Sequence, residues 1–210
     1  MARSNAPRLM LVTPVVADAE AFAPTLAAAC AGADIAAVIV RLAGGDERTQ
    51  INRLKALVHA TQGRETALLV EGHPEIVARA GADGAHLAGT DALTAAIAAL
   101  KPERIAGAGG LRERHDAMTA AETGADYVLF GEPDEAGHRP AIEAVIERAA
   151  WWAEIFQIPC VAYAAHLNEV DKLAAAGADF LALGDSIWAA DPVRALADAT
   201  AAMTPREHFA

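Results

Sequence analysis

The tripeptide Gly-Ala-Asp recurs four times along this chain, at Gly32–Asp34, Gly81–Asp83, Gly124–Asp126 and Gly177–Asp179. Each copy follows an alanine-rich stretch with helical spacing. Each precedes a short apolar run: Ile35–Val40, Gly84–Leu87, Tyr127–Phe130 and Phe180–Leu183. A glycine can close a helix in the left-handed conformation, and the Asp then leads into a buried strand. Successive copies begin 49, 43 and 53 residues apart, room for two βα units each at roughly 25 residues per unit. The expected extra strands are present: Leu9–Thr13 before the first copy, then Ala67–Glu71, Arg104–Gly107 and Cys160–Tyr163 between copies.

Eight strands therefore alternate with eight predicted helices: Ala19–Ala31, Glu47–Gln62, Pro74–Ala80, Ala92–Leu100, Glu113–Thr123, Ala141–Phe156, Asn168–Ala176 and Pro192–Met203. Strict alternation implies parallel strands with right-handed crossovers. The expectation is a single α/β domain over residues 1–210, a (β/α)8 TIM barrel, with an open doubly wound sheet as the alternative. With 210 residues, 54% of them hydrophobic, the chain suits one well-buried core and not a disordered segment.

The formal net charge of −11 lacks the basic footprint of a nucleic-acid-binding domain. An anionic ligand would need localised cations. Cys30 and Cys160 match no zinc spacing, and Leu9–Val12 is too short for a membrane span. These features predict a cytoplasmic chain with reduced thiols and no membrane or nucleic-acid partner.

In such a barrel chemistry gathers at the C-terminal strand ends, and the Gly-Ala-Asp turns fall on the opposite face. Their aspartates are therefore discounted as catalytic. Arg41, ending the second strand, reads as an anion clamp or a solvated strand-end arginine. Glu71 and His73, flanking Gly72, could act as acid and base. His86 reads as a hydrogen-bonded barrel histidine or a base. Asp91 suits magnesium or a helix cap. Gly107 and Gly109 would let a ligand approach the backbone. His138 and Arg139 form a cationic pair that suits a substrate phosphate or a solvated loop. Gly184-Asp185-Ser186 opens a short helix after the last strand, where many barrels bind phosphate; Asp185 could equally cap it. Trp151 and Trp152, on the outer ring, would support a homodimer if exposed.

The first strand carries Leu11-Val12-Thr13, and the second copy of the repeat extends to Gly81-Ala-Asp-Gly-Ala-His-Leu87. The third reads Gly124-Ala-Asp-Tyr-Val128 with Gly131, and the fourth Ala176-Gly-Ala-Asp179 with Ile187 and Ala189. In these segments the chain resembles the thiamine phosphate synthase and thiazole tautomerase family, which opens similarly and carries Gly-Ala-Asp-Gly-Val-His-Leu. The resemblance implies a small barrel that joins hydroxymethylpyrimidine diphosphate to thiazole phosphate, releasing diphosphate with the help of Mg2+. It assigns catalysis to Arg41, Glu71, His138 and Arg139, and the metal to Asp91. Ligand and phosphate contacts fall on Arg41, His86, Gly107, Gly109, Ala165, Gly184, Asp185 and Ser186.

Several positions depart from the family pattern. Gln-x-Arg-x-Lys after the second strand reads Ile39-Val40-Arg41-Leu42-Ala43, and Asn-Asp after the third reads Glu71-Gly72. The Ser after the fifth is Ala108, and the Thr- and Lys-bearing loop after the sixth is Glu132–Arg139. Gly-Gly after the seventh is Ala164-Ala165, and the Ser after the eighth aligns with Asp185. Two functional readings follow: a synthase with a remodelled site, or a paralogue that binds a phosphorylated or thiazole-like molecule as a sensor or interaction protein.

Overall fold

The computed structural model describes residues 6–134, 136–189 and 191–203. The strands are β1 (Arg8–Val16), β2 (Ile35–Leu42), β3 (Ala67–Glu71), β4 (Gly84–Ala88), β5 (Ile105–Gly109), β6 (Tyr127–Phe130), β7 (Cys160–Ala164) and β8 (Phe180–Leu183). Each pairs in parallel with the next, and β8 pairs with β1, so the sheet closes into a barrel. Between and after them lie α1 (Ala19–Gly32), α2 (Glu47–Thr61), α3 (Val77–Ala80), α4 (Thr90–Leu100) and α5 (Arg114–Thr123). The series continues with α6 (Ile142–Ile155), α7 (Val170–Ala175), α8 (Asp185–Trp188) and α9 (Pro192–Met203). The open sheet is excluded. The short helices α3 and α7 are each preceded by a 3-10 turn, Pro74–Ile76 and Leu167–Glu169.

The alternation of a strand separates two shells of core. Leu9, Leu11, Val38, Val40, Leu68, Val70 and Leu181 face the helices. Met10, Val12, Ala37, Ile39, Leu69, Tyr127, Leu129, Val161, Tyr163 and Ala182 fill the barrel itself. The outer shell includes Trp152, which is fully buried with its Nε1 donating to the Ile158 carbonyl at 2.8 Å. Trp151 is half-buried under the Arg114 guanidinium, 4.8 Å from its ring.

The repeat does structural work at the N-terminal face. Gly81, Gly124 and Gly177 adopt φ of 78°, 107° and 88°, the left-handed geometry that ends a helix. Gly32 departs from this expectation: α1 runs through it, and the chain turns at an extended Ala33. A Cβ at Gly32 would stand 3.0 Å from Val193 Cγ1 on α9, a tight contact.

The aspartates clamp the strand starts. Asp83, Asp126 and Asp179 accept from the backbone N–H groups of Leu68, Ala106 and Cys160 at 2.7–2.8 Å. In return their own N–H groups donate to the carbonyls of the same three residues at 2.8–2.9 Å. Each Asp thus completes the ladder at the end of a neighbouring strand. Asp34 instead pairs with the Arg8 guanidinium through two bonds of 2.7 and 3.0 Å.

Candidate active site

Extending the inner parity to the C-terminal ends of the strands gives the mouth its side chains. On β2, Ala37 and Ile39 point inward, so Arg41 does too; on β3, Leu69 is followed by Glu71. Arg41 owes its pose to a break in β1. Val12 pairs with Ile39 and Val15 with Arg41, so β1 carries one residue more than β2 across this step. Pro14, lacking an N–H, suits such a bulge. Two carbonyls are released there: Thr13 O accepts from Arg41 Nε at 2.6 Å, and Val12 O from Trp188 Nε1 at 2.7 Å. The buried Thr13 hydroxyl also accepts from the Arg41 backbone N–H at 3.0 Å. The far end of the guanidinium reaches Asp185 on α8 at 2.7 Å.

Across the barrel, Glu71, His86, Gly107 and Tyr127 are register partners on β3, β4, β5 and β6. Because β5 presents no side chain at Gly107, the Tyr127 ring crosses it and places its hydroxyl 2.8 Å from His86 Nδ1. A Cβ at Gly107 would lie 2.0 Å from that ring. The next inward position on β5 is Gly109, where a Cβ would meet Glu132 Oε1 at 2.0 Å and His86 Nε2 at 2.5 Å. Glu132 Oε2 lies 3.2 Å from His86 Nε2, and its Oε1 accepts from the Gly110 N–H. The two glycines predicted to admit a ligand thus have their missing side-chain volume filled by Tyr127 and by the His86–Glu132 pair.

Electrostatics follows from this enclosure. Burial pulls the His86 imidazole down most strongly, yet the Glu132 charge and hydrogen bond, with the Glu71 charge, outweigh it and raise the pKa. Burial raises the Glu71 carboxyl; Glu132 adds to this, and His86, Arg41 and His73 oppose it. The Tyr127 hydroxyl is pushed well up by burial, then by Glu132, Asp126 and Glu71, and stays neutral. A doubly hydrogen-bonded imidazole beside two carboxyls, Glu71 the protonation-prone one, can hold or shift a proton.

The β6–β8 side carries the second arginine. Arg139 forms a bidentate pair with Glu169 at 3.0–3.2 Å, and Glu169 also accepts from the Ala165 N–H at 2.8 Å. The backbone N–H of Ala165, a residue expected to meet a ligand, is thus bonded to Glu169. Burial opposes ionisation of Glu169, but Arg139 and the N–H groups of Ala165 and His166 prevail and lower its pKa. Burial raises the Tyr163 hydroxyl and Asp185 adds to this, while Arg41 and Arg139 oppose it, so both arginines act on this side chain of the mouth. Two buried polar atoms lack a partner among the described residues: Ser186 Oγ and Arg139 Nε. At Gly184 a Cβ would strike the Tyr163 hydroxyl at 2.1 Å.

Other predicted residues stand apart. The His138 side chain is 84% exposed, 3.7 Å from Asp134. His73 leans on the buried Gln50, with Nε2 to Nε2 at 3.2 Å, and on Glu75 at 3.1 Å. Asp91 is exposed on the first turn of α4 with no side-chain hydrogen bond or ion pair among the described residues. Among those residues no group of three or more His, Cys, Asp or Glu side chains could hold a metal ion. One open carboxylate nevertheless fits a magnesium ion that keeps its waters and takes its other ligands from a phosphorylated substrate. The sequence reading missed Glu132, Tyr127, Tyr163 and Glu169 as site members. The available signal was inward parity for the tyrosines and, for Glu132, a glutamate directly after Gly131.

Fold and mouth together define a class: a (β/α)8 barrel with its charged, inward-facing residues collected at the C-terminal opening. The chain belongs to the thiamine monophosphate synthase family, whose model matches residues 9–187. It is 38% identical over 196 residues to the thiamine-phosphate synthase of Rhodospirillum centenum, covering 91% of this chain and 95% of that one. It is 33% identical over 189 residues to that of Hyphomonas neptunium, covering 86% of each. Among solved structures, thiamine phosphate pyrophosphorylase from Pyrococcus furiosus shares the fold, with a TM-score of 0.78 at 20% identity over 95% of this chain and 96% of that one.

Proposed function

We propose that this barrel is a thiamine-phosphate synthase, joining hydroxymethylpyrimidine diphosphate to thiazole phosphate at its mouth. The observation that carries the reading is the family match across nearly the whole barrel, including the strands that frame the mouth. In this reaction the bond from the pyrimidine methylene to the diphosphate oxygen breaks, and its electron pair leaves with diphosphate. The thiazole nitrogen supplies the pair for the new carbon–nitrogen bond. The barrel must neutralise the departing anion and align the nitrogen with the methylene.

Arg41 and Arg139 are suited to the anions, each exchanging a carboxylate partner, Asp185 or Glu169, for phosphate oxygens. Ser186 Oγ and Arg139 Nε offer further hydrogen bonds for which the described residues supply no partner. Asp91 would hold magnesium, which when bound adds positive charge beside the leaving diphosphate. Glu71, protonation-prone, is suited to hydrogen-bonding a heterocycle. His138 would reach the ligand only by movement of its loop. The reading extends to one domain over residues 1–210 working in the cytoplasm on small phosphorylated molecules, with self-association through the outer helices near Trp151. No helix among the described residues is long and apolar enough to cross a membrane.

The carboxylate pairing of both arginines favours one other reading, a paralogue that binds a phosphorylated or thiazole-like molecule without synthase turnover. A single experiment separates the two. Purified protein receives both precursors and magnesium, and diphosphate release is followed. Turnover is expected. Its absence, together with no magnesium-dependent thermal shift from the pyrimidine diphosphate, would overturn the synthase.

A further inference from the structure

Tyr127, His86 and Glu132 form a largely buried polar chain. The surrounding barrel interior is filled by aliphatic side chains and Tyr163, and a polar group placed there costs stability unless every bond is made. The chain is accommodated by two adjacent inward glycines on one strand, Gly107 and Gly109, each of which would clash if it carried a Cβ. His86 is only 2% exposed and has a partner on both nitrogens. Glu132, 19% exposed, is the member that touches the open mouth. Its second oxygen takes the Gly110 N–H, and the Gly109 carbonyl takes the N–H of Gly89 at 2.8 Å. The tops of β4, β5 and the segment after β6 are thereby tied together, immediately before Asp91.

We propose that Glu132 is a positioning residue for anion binding at the mouth, acting through His86, whose imidazole it holds in place on the barrel floor. This rests on the mouth being the phosphate-binding site proposed above. The charged and titratable groups facing His86 are Glu71 from β3, Tyr127 from β6 and Glu132 itself. With the ring protonated, Nδ1–H donates to the Tyr127 oxygen and Nε2–H to Glu132. The ring charge then offsets that of Glu132 below Glu71. When the ring loses its proton, Glu132 and Glu71 stand uncompensated and repel an arriving phosphate. Removing the Glu132 charge also removes the main influence that keeps the ring protonated against its burial.

The test uses the full chain, inorganic diphosphate as probe, and NMR of the His86 imidazole. In the native protein, diphosphate affinity should fall at least tenfold as pH rises through the His86 midpoint. In Glu132→Gln both the midpoint and the affinity profile should move down together by about one pH unit or more. Tyr127→Phe, which keeps both carboxylates, should move them less. If Glu132→Gln does not fold, Glu132→Asp, which withdraws the carboxylate by one methylene, should give a smaller shift in the same direction. A folded variant at Glu132 whose imidazole midpoint or diphosphate profile coincides with the native one overturns the proposal. Neither readout needs turnover, so a chain inactive on the thiamine precursors would sink the synthase alone.

Discussion

At the residue scale, Glu71 shows how one position can serve a site at the expense of the fold. Its folded-state pKa is raised, first by burial and then by Glu132. The contribution of such a carboxyl is fully present below its unfolded pKa and lost as pH rises through the folded one. Glu71→Gln, neutral and of the same shape, should therefore melt at the native temperature near about pH 4. It should melt increasingly above it toward neutrality, in thermal scans over that range. A difference that is flat with pH would contradict the assignment. Residue type was enough to single out Glu71, Arg41 and His86 from the sequence, because charge at the end of an apolar strand is conspicuous. It was not enough to show that Gly107 and Gly109 hold space for Tyr127 and Glu132, residues 20 or more positions downstream in the chain.

At the scale of elements, the repeated tripeptide uses one sequence for two physical jobs. Asp83, Asp126 and Asp179 satisfy an N–H at the start of a strand, whereas Asp34 makes an exposed ion pair with side chains 73% and 43% accessible. Removing Asp83 leaves the Leu68 N–H without its acceptor, which costs about 1–3 kcal/mol. Removing Asp34 loses a screened surface pair that is worth at most about 1 kcal/mol. Urea unfolding of Asp83→Ala and Asp34→Ala should therefore rank them in that order, and equal costs would refute the clamp. The helices and strands themselves were legible because period and punctuation coincide at each Gly-Ala-Asp. The bulge of β1 and the extension of β5 to Gly109 were not, since both depend on which neighbour a strand meets.

At the scale of the molecule, an acidic chain keeps its mouth arginines by matching them with carboxylates. Glu169 has a folded pKa below its unfolded value, so its stabilisation is present above the unfolded pKa and lost as pH falls through the folded one. Glu169→Gln should flatten the acid limb of the stability profile and leave little difference in its slope near neutrality; an unchanged acid limb would argue against the pairing with Arg139. The sequence alone determined the eightfold alternation, the face carrying the aspartates and the face where charge collects. Those follow from local periodicity, and each unit repeats the same instruction. Tertiary structure decided which charges neutralise one another, Arg41 with Asp185 and Arg139 with Glu169, and which glycines leave room for a buried tyrosine and histidine. Closure brings β1 beside β8 and stacks inward residues in layers, so these partners lie up to 144 positions apart. No local pattern encodes a distance of that kind.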